Sequence, residues 1–243
     1  MNNELIFNNL CHKYSLNDED KRYLEKIVIP IINNPNFEKR ITSEFPHHGS
    51  ITLGEHIIED AVLTYKLSKK YLKKKKESKY RIDLAVKIAM LHDLYTIPWQ
   101  NNKEAKVKRF FNKHGFRHPI EAIINGVTWY PEIFSDEEES KIIIDGVLHH
   151  MFPLPVRYLN DETELKNRDL YNELSDSYKT MITNSLKRKK IGPISFSRST
   201  YPEGRIMAKA DRKVSRKQIK NLASAKSLIT GHNKKIMNKS KEN

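Results

Sequence analysis

Ile82-Asp-Leu-Ala-Val-Lys-Ile-Ala-Met-Leu-His92-Asp93-Leu94 is the most apolar helix-like stretch of the chain, and a histidine and an aspartate stand at its end. The stretch is nearly all apolar, with Leu84, Ala85, Ile88, Ala89 and Leu91 among its residues. A helix of this kind must be buried all round. An ionised carboxylate held at the end of such a helix costs on the order of several kcal/mol unless it is paired or bound to a metal. His92 and Asp93 therefore call for partners from elsewhere in the chain.

The flanking segments also read as helices. Asn17, followed by Asp18, Glu19 and Asp20, predicts the start of a helix running to about Asn34, with Pro30 kinking it and Pro35 closing it. Residues 45–50, Phe-Pro-His-His-Gly-Ser, read as a loop. A second helix is expected from about Thr52 to the lysine run, with Leu53, Ile57, Ala61, Thr64 and Leu67 at helical spacing. Pro119 predicts a helix start with His118 as its cap residue. The capping-box pattern Ser135-Asp-Glu-Glu138 predicts another helix that reaches Phe152 and stops at Pro153 and Pro155. Residues 156–200 are polar and irregular apart from a short helix near 174–187. A last helix is expected from about Pro202 to Leu228, with a fraying end after Thr230. Eight glycines in 243 residues and few alternating runs point to an all-α fold, a single helical bundle. Its parts are an N-terminal helical segment (1–44) packed on the core, a main domain (45–228) and a basic, flexible tail (229–243).

Several polar residues fall on the predicted inner faces. His56 lies beside Ile57 on the second helix; His149 and His150 sit within the apolar run from Ile142 to Phe152. Asp211 has Met207 and Val214 four residues before and three after it, so it too faces inward. Taken singly, a core histidine is more often a hydrogen-bonded structural residue, and Asp211 has basic neighbours to pair with. Taken as an ordered set on separate helices, two acids and several imidazoles make physical sense if they converge on a cation.

The order His56, His92-Asp93, Asp211 resembles the signature of the HD superfamily of metal-dependent phosphohydrolases, over the stretch from His56 to about Val214. Its strongest pieces are Ile88-Ala-Met-Leu-His92-Asp93-Leu and Ile206-Met-Ala-Lys-Ala-Asp211. His118 and the pair His149-His150 are similar to the extra histidines of two-metal members. The resemblance implies His56, His92, Asp93 and Asp211 as a ligand set, with Asp93 bridging to a second ion held by His118 and by His149, His150 or both. The sequence departs from the HD-GYP cyclic-dinucleotide phosphodiesterases at Leu94-Tyr95-Thr96 and at Met151-Phe-Pro-Leu-Pro155, which speaks against cyclic di-GMP as substrate. The implied activity is hydrolysis of a small phosphate ester, a nucleotide foremost, by metal-activated water. Imidazole and carboxylate donors suit one or two ions of Mn, Fe, Ni or Zn rather than Ca. Asp93 is the central catalytic candidate. His47 and His48 are candidates for leaving-group protonation, Arg117, Lys209, Arg212 and Lys213 for holding phosphate, and Tyr95, Trp99 and Phe116 for stacking on a base. An exposed loop is an equally ordinary role for the histidine pair, and a solvated helix face for the basic residues and a core position for the aromatics are the more ordinary ones.

Composition narrows the alternatives. The lone Cys11 excludes an internal disulfide framework and a multi-cysteine zinc site. With a polar start and no basic-then-apolar leader, the chain is expected in the cytoplasm and not in a membrane. The net charge of +14 is concentrated in residues 66–81, which carry +8, and 205–243, which carry +10. Two basic blocks suit an anionic partner, nucleic acid among them, as well as they suit well-solvated faces. A nucleic-acid-directed HD protein and a non-catalytic sensing protein with a structural metal are the alternative functions, and the oligomeric state is left open.

Overall fold

The computed structural model describes residues 3–75, 78–96, 114–157, 171–192 and 194–239. The helices are α1 (Asn3–Lys13), α2 (Asp18–Ile32), α3 (Pro35–Glu38), α4 (Leu53–Lys75), α5 (Ile82–Leu91), α6 (His114–Trp129), α7 (Glu137–Leu148), α8 (Asp176–Lys187) and α9 (Pro202–Lys239). Two small antiparallel sheets join them: β1 (Pro46–His48) with β2 (Ile51–Thr52), and β3 (Val156–Arg157) with β5 (Ile194–Ser195) and β4 (Lys190–Ile191). The protein is a predominantly helical bundle, the all-α class expected. No helix among the described residues is long and apolar enough to cross a membrane.

The apolar helix is the axis of the fold. Leu84, Ala85, Val86, Ile88, Ala89, Met90 and Leu91 of α5 are all buried, and α2, α4, α7 and α9 pack around it. Each such Leu or Ile, fully buried, contributes about 1.5–3 kcal/mol. The helix stops at Leu91, three residues short of the expected end, so His92 and Asp93 lie in the turn that follows. That turn is held from outside: Asn125 of α6 donates to the Leu94 carbonyl at 2.5 Å, and the buried Arg40 donates to the Tyr95 carbonyl at 2.8 Å. Arg40 thus ties the N-terminal segment to the chain that carries Asp93.

The crossing of α7 and α9 needs glycine. A Cβ on Gly204 would stand 2.6 Å from the Cα of Gly146, so bulk at this point forces the two backbones apart. The close approach sets the C-terminal end of α7 against the stretch of α9 that carries Asp211.

Other segments also differ from the sequence reading. Pro35 opens α3, with Asn34 as its cap, rather than merely closing α2. The loop at 45–50 is a tight β1–β2 hairpin turning on Gly49, whose φ of +67° suits glycine. α6 starts at His114, so Pro119 and His118 lie inside it. Near a helix start, the proline forfeits only a single bond, to the Gly115 carbonyl. Asp136, not Ser135, caps α7 by accepting from the Glu139 amide at 2.8 Å, and α7 ends at Leu148, before the two histidines. α9 continues to Lys239, well past Leu228, through residues of good helix propensity such as Ala223, Lys226 and Lys235.

Candidate metal centre

His56 lies one turn into α4, and Asp60 stands one turn further on the same face. The His92-Asp93 turn approaches from α5, His118 from α6, His150 from beyond the end of α7, and Asp211 from α9. All seven side chains are buried, His56, Asp60 and His92 completely.

The hydrogen bonds at the backs of the imidazoles decide what the fronts can do. His92 Nδ1 lies 2.7 Å from the Ala89 carbonyl, His118 Nδ1 3.1 Å from the His114 carbonyl, and His150 Nδ1 2.7 Å from the Val147 carbonyl. A carbonyl only accepts, so each Nδ1 carries the proton, and in a neutral ring each Nε2 is left with its lone pair. His56 is held likewise. Its Nδ1 meets Gln218 Oε1 at 3.1 Å, and Gln218 is oriented by donating from Nε2 to Glu59 Oε2 at 3.1 Å. Lys13 and Tyr14 donate to the other Glu59 oxygen, both at 2.7 Å, so the α1 end of the chain reaches the back of His56.

The four Nε2 atoms converge on carboxylates. Asp93 Oδ2 lies 3.8 Å from His56 Nε2 and 3.6 Å from His92 Nε2, while Asp93 Oδ1 lies 3.1 Å from His118 Nε2 and 3.7 Å from His150 Nε2. One oxygen thus faces each pair of imidazoles. Asp60 Oδ2 is 3.1 Å from His56 Nε2 and 3.4 Å from His92 Nε2, and Asp211 Oδ1 is 3.7 Å from His56 Nε2. His118 Nε2 and His150 Nε2 are only 3.0 Å apart, two lone-pair atoms facing each other unless a proton or a cation lies between.

The polar bookkeeping points the same way. His56 Nε2, His92 Nε2 and both oxygens of Asp60 are buried with no hydrogen-bond partner. Buried polar groups are almost always satisfied, so four orphaned atoms turned toward one point need an explanation. His56, Asp60, His92 and Asp211 each offer a ligand atom, all within 4.8 Å of one another, and His92, Asp93 and His150 form a second such group. The buried cluster could hold a metal ion, and its nitrogen and oxygen donors suit a divalent transition metal.

Without a cation, protons must do this work. Burial works against a charged His56, but the carboxylates of Asp60, Asp93 and Asp211 outweigh it and raise its pKa to about 10. Burial raises Asp60 to about 6. Burial also pushes Asp93 upward, yet the imidazoles of His92 and His118 hold it well below the ordinary carboxylate range. His150 is driven to about 3 by burial and by the charges of His92 and His118.

The cluster forms the floor of a cleft of about 620 Å³. His47, His48, Tyr95 and His114 line one side; Met151, Pro153, Leu154 and Ile219 supply apolar walls; Arg212 and Ser215 stand by Asp211. The His47 ring stacks on His56, centroids 4.0 Å apart, and its Nδ1 is 3.2 Å from the Tyr95 hydroxyl. Burial, followed by the neighbouring His56, pushes the pKa of His47 well below its usual value, and the same causes lower His48.

Not every sequence candidate comes to the site. His149 is turned away: its Nε2 meets the Ser185 carbonyl and hydroxyl at 3.3 and 3.1 Å, and its Nδ1 meets Ser197 Oγ at 3.2 Å. Of the pair, only His150 joins the cluster. Lys213 is exposed and does not line the cleft, because two positions on from Asp211 is roughly 200° around the helix. Its place at the rim is taken by Arg212, which donates to the Phe152 carbonyl at 2.7 Å. Arg117 is half-buried on α6 and Phe116 is buried; neither lines the cleft. Tyr95 does line it, and Trp99 lies outside the described residues. Asp60 and His114 were missed by the sequence reading. Asp60 was detectable, because Leu53, Ile57, Asp60 and Thr64 follow one helical stripe.

No model of a known protein family matches the chain, and no curated protein or solved structure matches it.

Proposed function

We propose that this chain is a metal-dependent phosphohydrolase of the HD kind, acting on a nucleotide or a similar small phosphate ester. The observation that carries the reading is the convergence of four proton-locked imidazoles, Nε2 foremost, on Asp60, Asp93 and Asp211 beneath an open cleft. His56, His92, Asp93 and Asp211, with Asp60 beside them, would hold one ion; Asp93, His118 and His150 would hold another. A divalent ion bound there lowers the pKa of water toward neutrality and offsets the charge of phosphate oxygens. The remaining roles fall to side chains of the cleft. Arg212 stands where a guanidinium can take a phosphate oxygen. His47, kept neutral by its burial and with the Tyr95 hydroxyl against it, would serve as a proton acceptor in the cleft. Met151, Leu154 and Ile219 offer apolar surface to the organic half of the ester, and the cleft volume suits a nucleotide.

The test is metal content and turnover measured together. Protein purified without chelators is expected to retain about one or two divalent ions per chain and to hydrolyse members of a panel of nucleotides and aryl phosphate esters. Asp93→Ala is expected to abolish turnover. Protein that keeps no metal and turns over nothing, or an Asp93→Ala variant as active as the parent, would sink the reading.

A further inference from the structure

A second cavity lies behind the wall that Pro153 and Arg212 share with the metal cleft. Its volume is about 240 Å³, and four arginines line it: Arg198 from the chain leading into α9, and Arg205, Arg212 and Arg216 from α9 itself. Spacings of seven and four residues put the last three along one face of the helix. Ala208 lies between Arg205 and Arg212 and, with its short side chain, adds little bulk to the wall.

This arrangement works against itself unless something anionic is present. Cations four apart on a helix repel; burial and the charges of Arg198 and Arg216 press against the charge of Arg212, while the neighbouring Asp211 favours it. No carboxylate lines the cavity. The nearby Asp145 is already committed to Ser199 Oγ at 2.7 Å, to the Thr200 amide at 2.8 Å and to Arg188. The side chains of Arg198, Arg205 and Arg216 make no hydrogen bond or ion pair among the described residues. Arg198 and Arg216 are exposed, so their side chains keep the freedom to turn. Guanidinium forks match the paired oxygens of phosphate, and several around one pocket match an anion carrying more than one charge.

We propose that this arginine-lined cavity is a binding site for a phosphate-class anion of two or more charges, separate from the metal centre. It does not depend on the hydrolase reading, since it requires no metal and no turnover. Arg212, hydrogen-bonded to Phe152 and adjacent to Asp211, forms the boundary between the two cavities.

The experiment is calorimetric titration of the chelator-washed full chain with inorganic pyrophosphate at moderate salt. One saturable site per chain is expected. Arg198→Gln with Arg216→Gln should weaken it at least about tenfold, because each removes a charge-assisted contact. Both residues are exposed and unpaired, so the fold should survive. Lys73→Gln with Lys74→Gln, in the other basic block, should leave the affinity unchanged. No saturable binding, or equal loss from the arginine and lysine pairs, would overturn the site in favour of diffuse charge attraction. A nucleoside triphosphate separates two sources of the anion. Tighter binding than pyrophosphate, lost in Ile219→Ala on the cleft wall, identifies one molecule spanning both cavities. Equal affinity identifies a free phosphate-class ion.

Discussion

The two histidines that follow α7 are equally buried, yet His149 has both ring nitrogens engaged by serines, while His150 has one held by a carbonyl and one aimed at Asp93. The same contrast separates two buried aspartates. Asp145 accepts from Ser199, Thr200, Ser185 and Arg188, whereas neither oxygen of Asp60 has a hydrogen-bond partner. One network is closed and the other is open. Burial alone therefore does not identify a functional polar residue; what does is a buried lone pair left over after its neighbours have been counted.

The largest effects should come from treating the two histidines alike. His150→Ala is expected to lower hydrolysis at least about 100-fold and to reduce bound metal, since direct ligands matter more than the outer partners whose loss costs about 10–100-fold. His149→Ala should keep the metal stoichiometry and lower stability by about 1–3 kcal/mol, the cost of unsatisfied serine partners. Metal analysis and denaturant melts on both variants measure the contrast, and equal metal loss from the two would break it.

The aspartates provide the next test. Asp145→Ala, which breaks a satisfied network with Arg188, should cost about 2–4 kcal/mol whether or not metal is present. Asp60→Asn should cost the metal-free protein about 1–2 kcal/mol, less than Asp145→Ala, because the amide loses the charge that faces His56 but keeps an oxygen 3.1 Å from its Nε2. It should weaken metal binding by about 10–100-fold. Melting curves with chelator and with added Mn would show the crossover; a large metal-free loss in Asp60→Asn would make Asp60 a structural residue.

A third effect concerns how the closed and open networks come to lie side by side. Gly204→Ala places a methyl group against the Gly146 backbone, where α7 cannot yield without moving His149 and His150 together. Overpacking of this kind costs about 1–3 kcal/mol. A thermal shift of the parent's size or better would show that the helices tolerate the extra separation.

How far this was legible in the sequence follows from how local each signal is. The burial of α5 and the inward faces of His56 and Asp211 are properties of helical spacing, and they are observed. Asp93 lies beyond the helix end, where periodicity stops, but its position next to His92 was enough to mark it. His118 was placed at a helix cap because a proline inside the first turns was read as a start. The choice between His149 and His150 could not be made locally, because the serines that engage His149 lie 36 and 48 residues away, one on α8 and one in the chain before α9, and local spacing does not pair them with it. The arginine cavity was hidden for the same reason: Arg198 joins the α9 face only through the path of the chain before it. Arg212 and Lys213 looked interchangeable beside Asp211 until the turn of the helix separated them.

The smallest effect tests whether the open network is held from behind. Glu59 accepts from Lys13, Tyr14 and Gln218, and Gln218 in turn fixes His56. Burial works to raise the pKa of Glu59, but these donors outweigh it and hold it below its ordinary value of 4.5. A carboxylate whose folded pKa is depressed contributes its stability above the unfolded value and loses it as the pH falls through the folded one. The contribution should therefore be complete at pH 7 and decline below about pH 4.5. Glu59→Gln should lower stability at pH 7 by about 1 kcal/mol and flatten the acid limb of the stability curve. Because Gln218 loses its charged acceptor, His56 should also lose some of its orientation, and metal affinity should fall by about tenfold or less. Urea melts at pH 7 and pH 4 measure the first effect, and metal titration measures the second. A variant that loses stability but binds metal as tightly as the parent would show that His56 is oriented by α4 alone, and that the α1 contacts brace the fold without reaching the site.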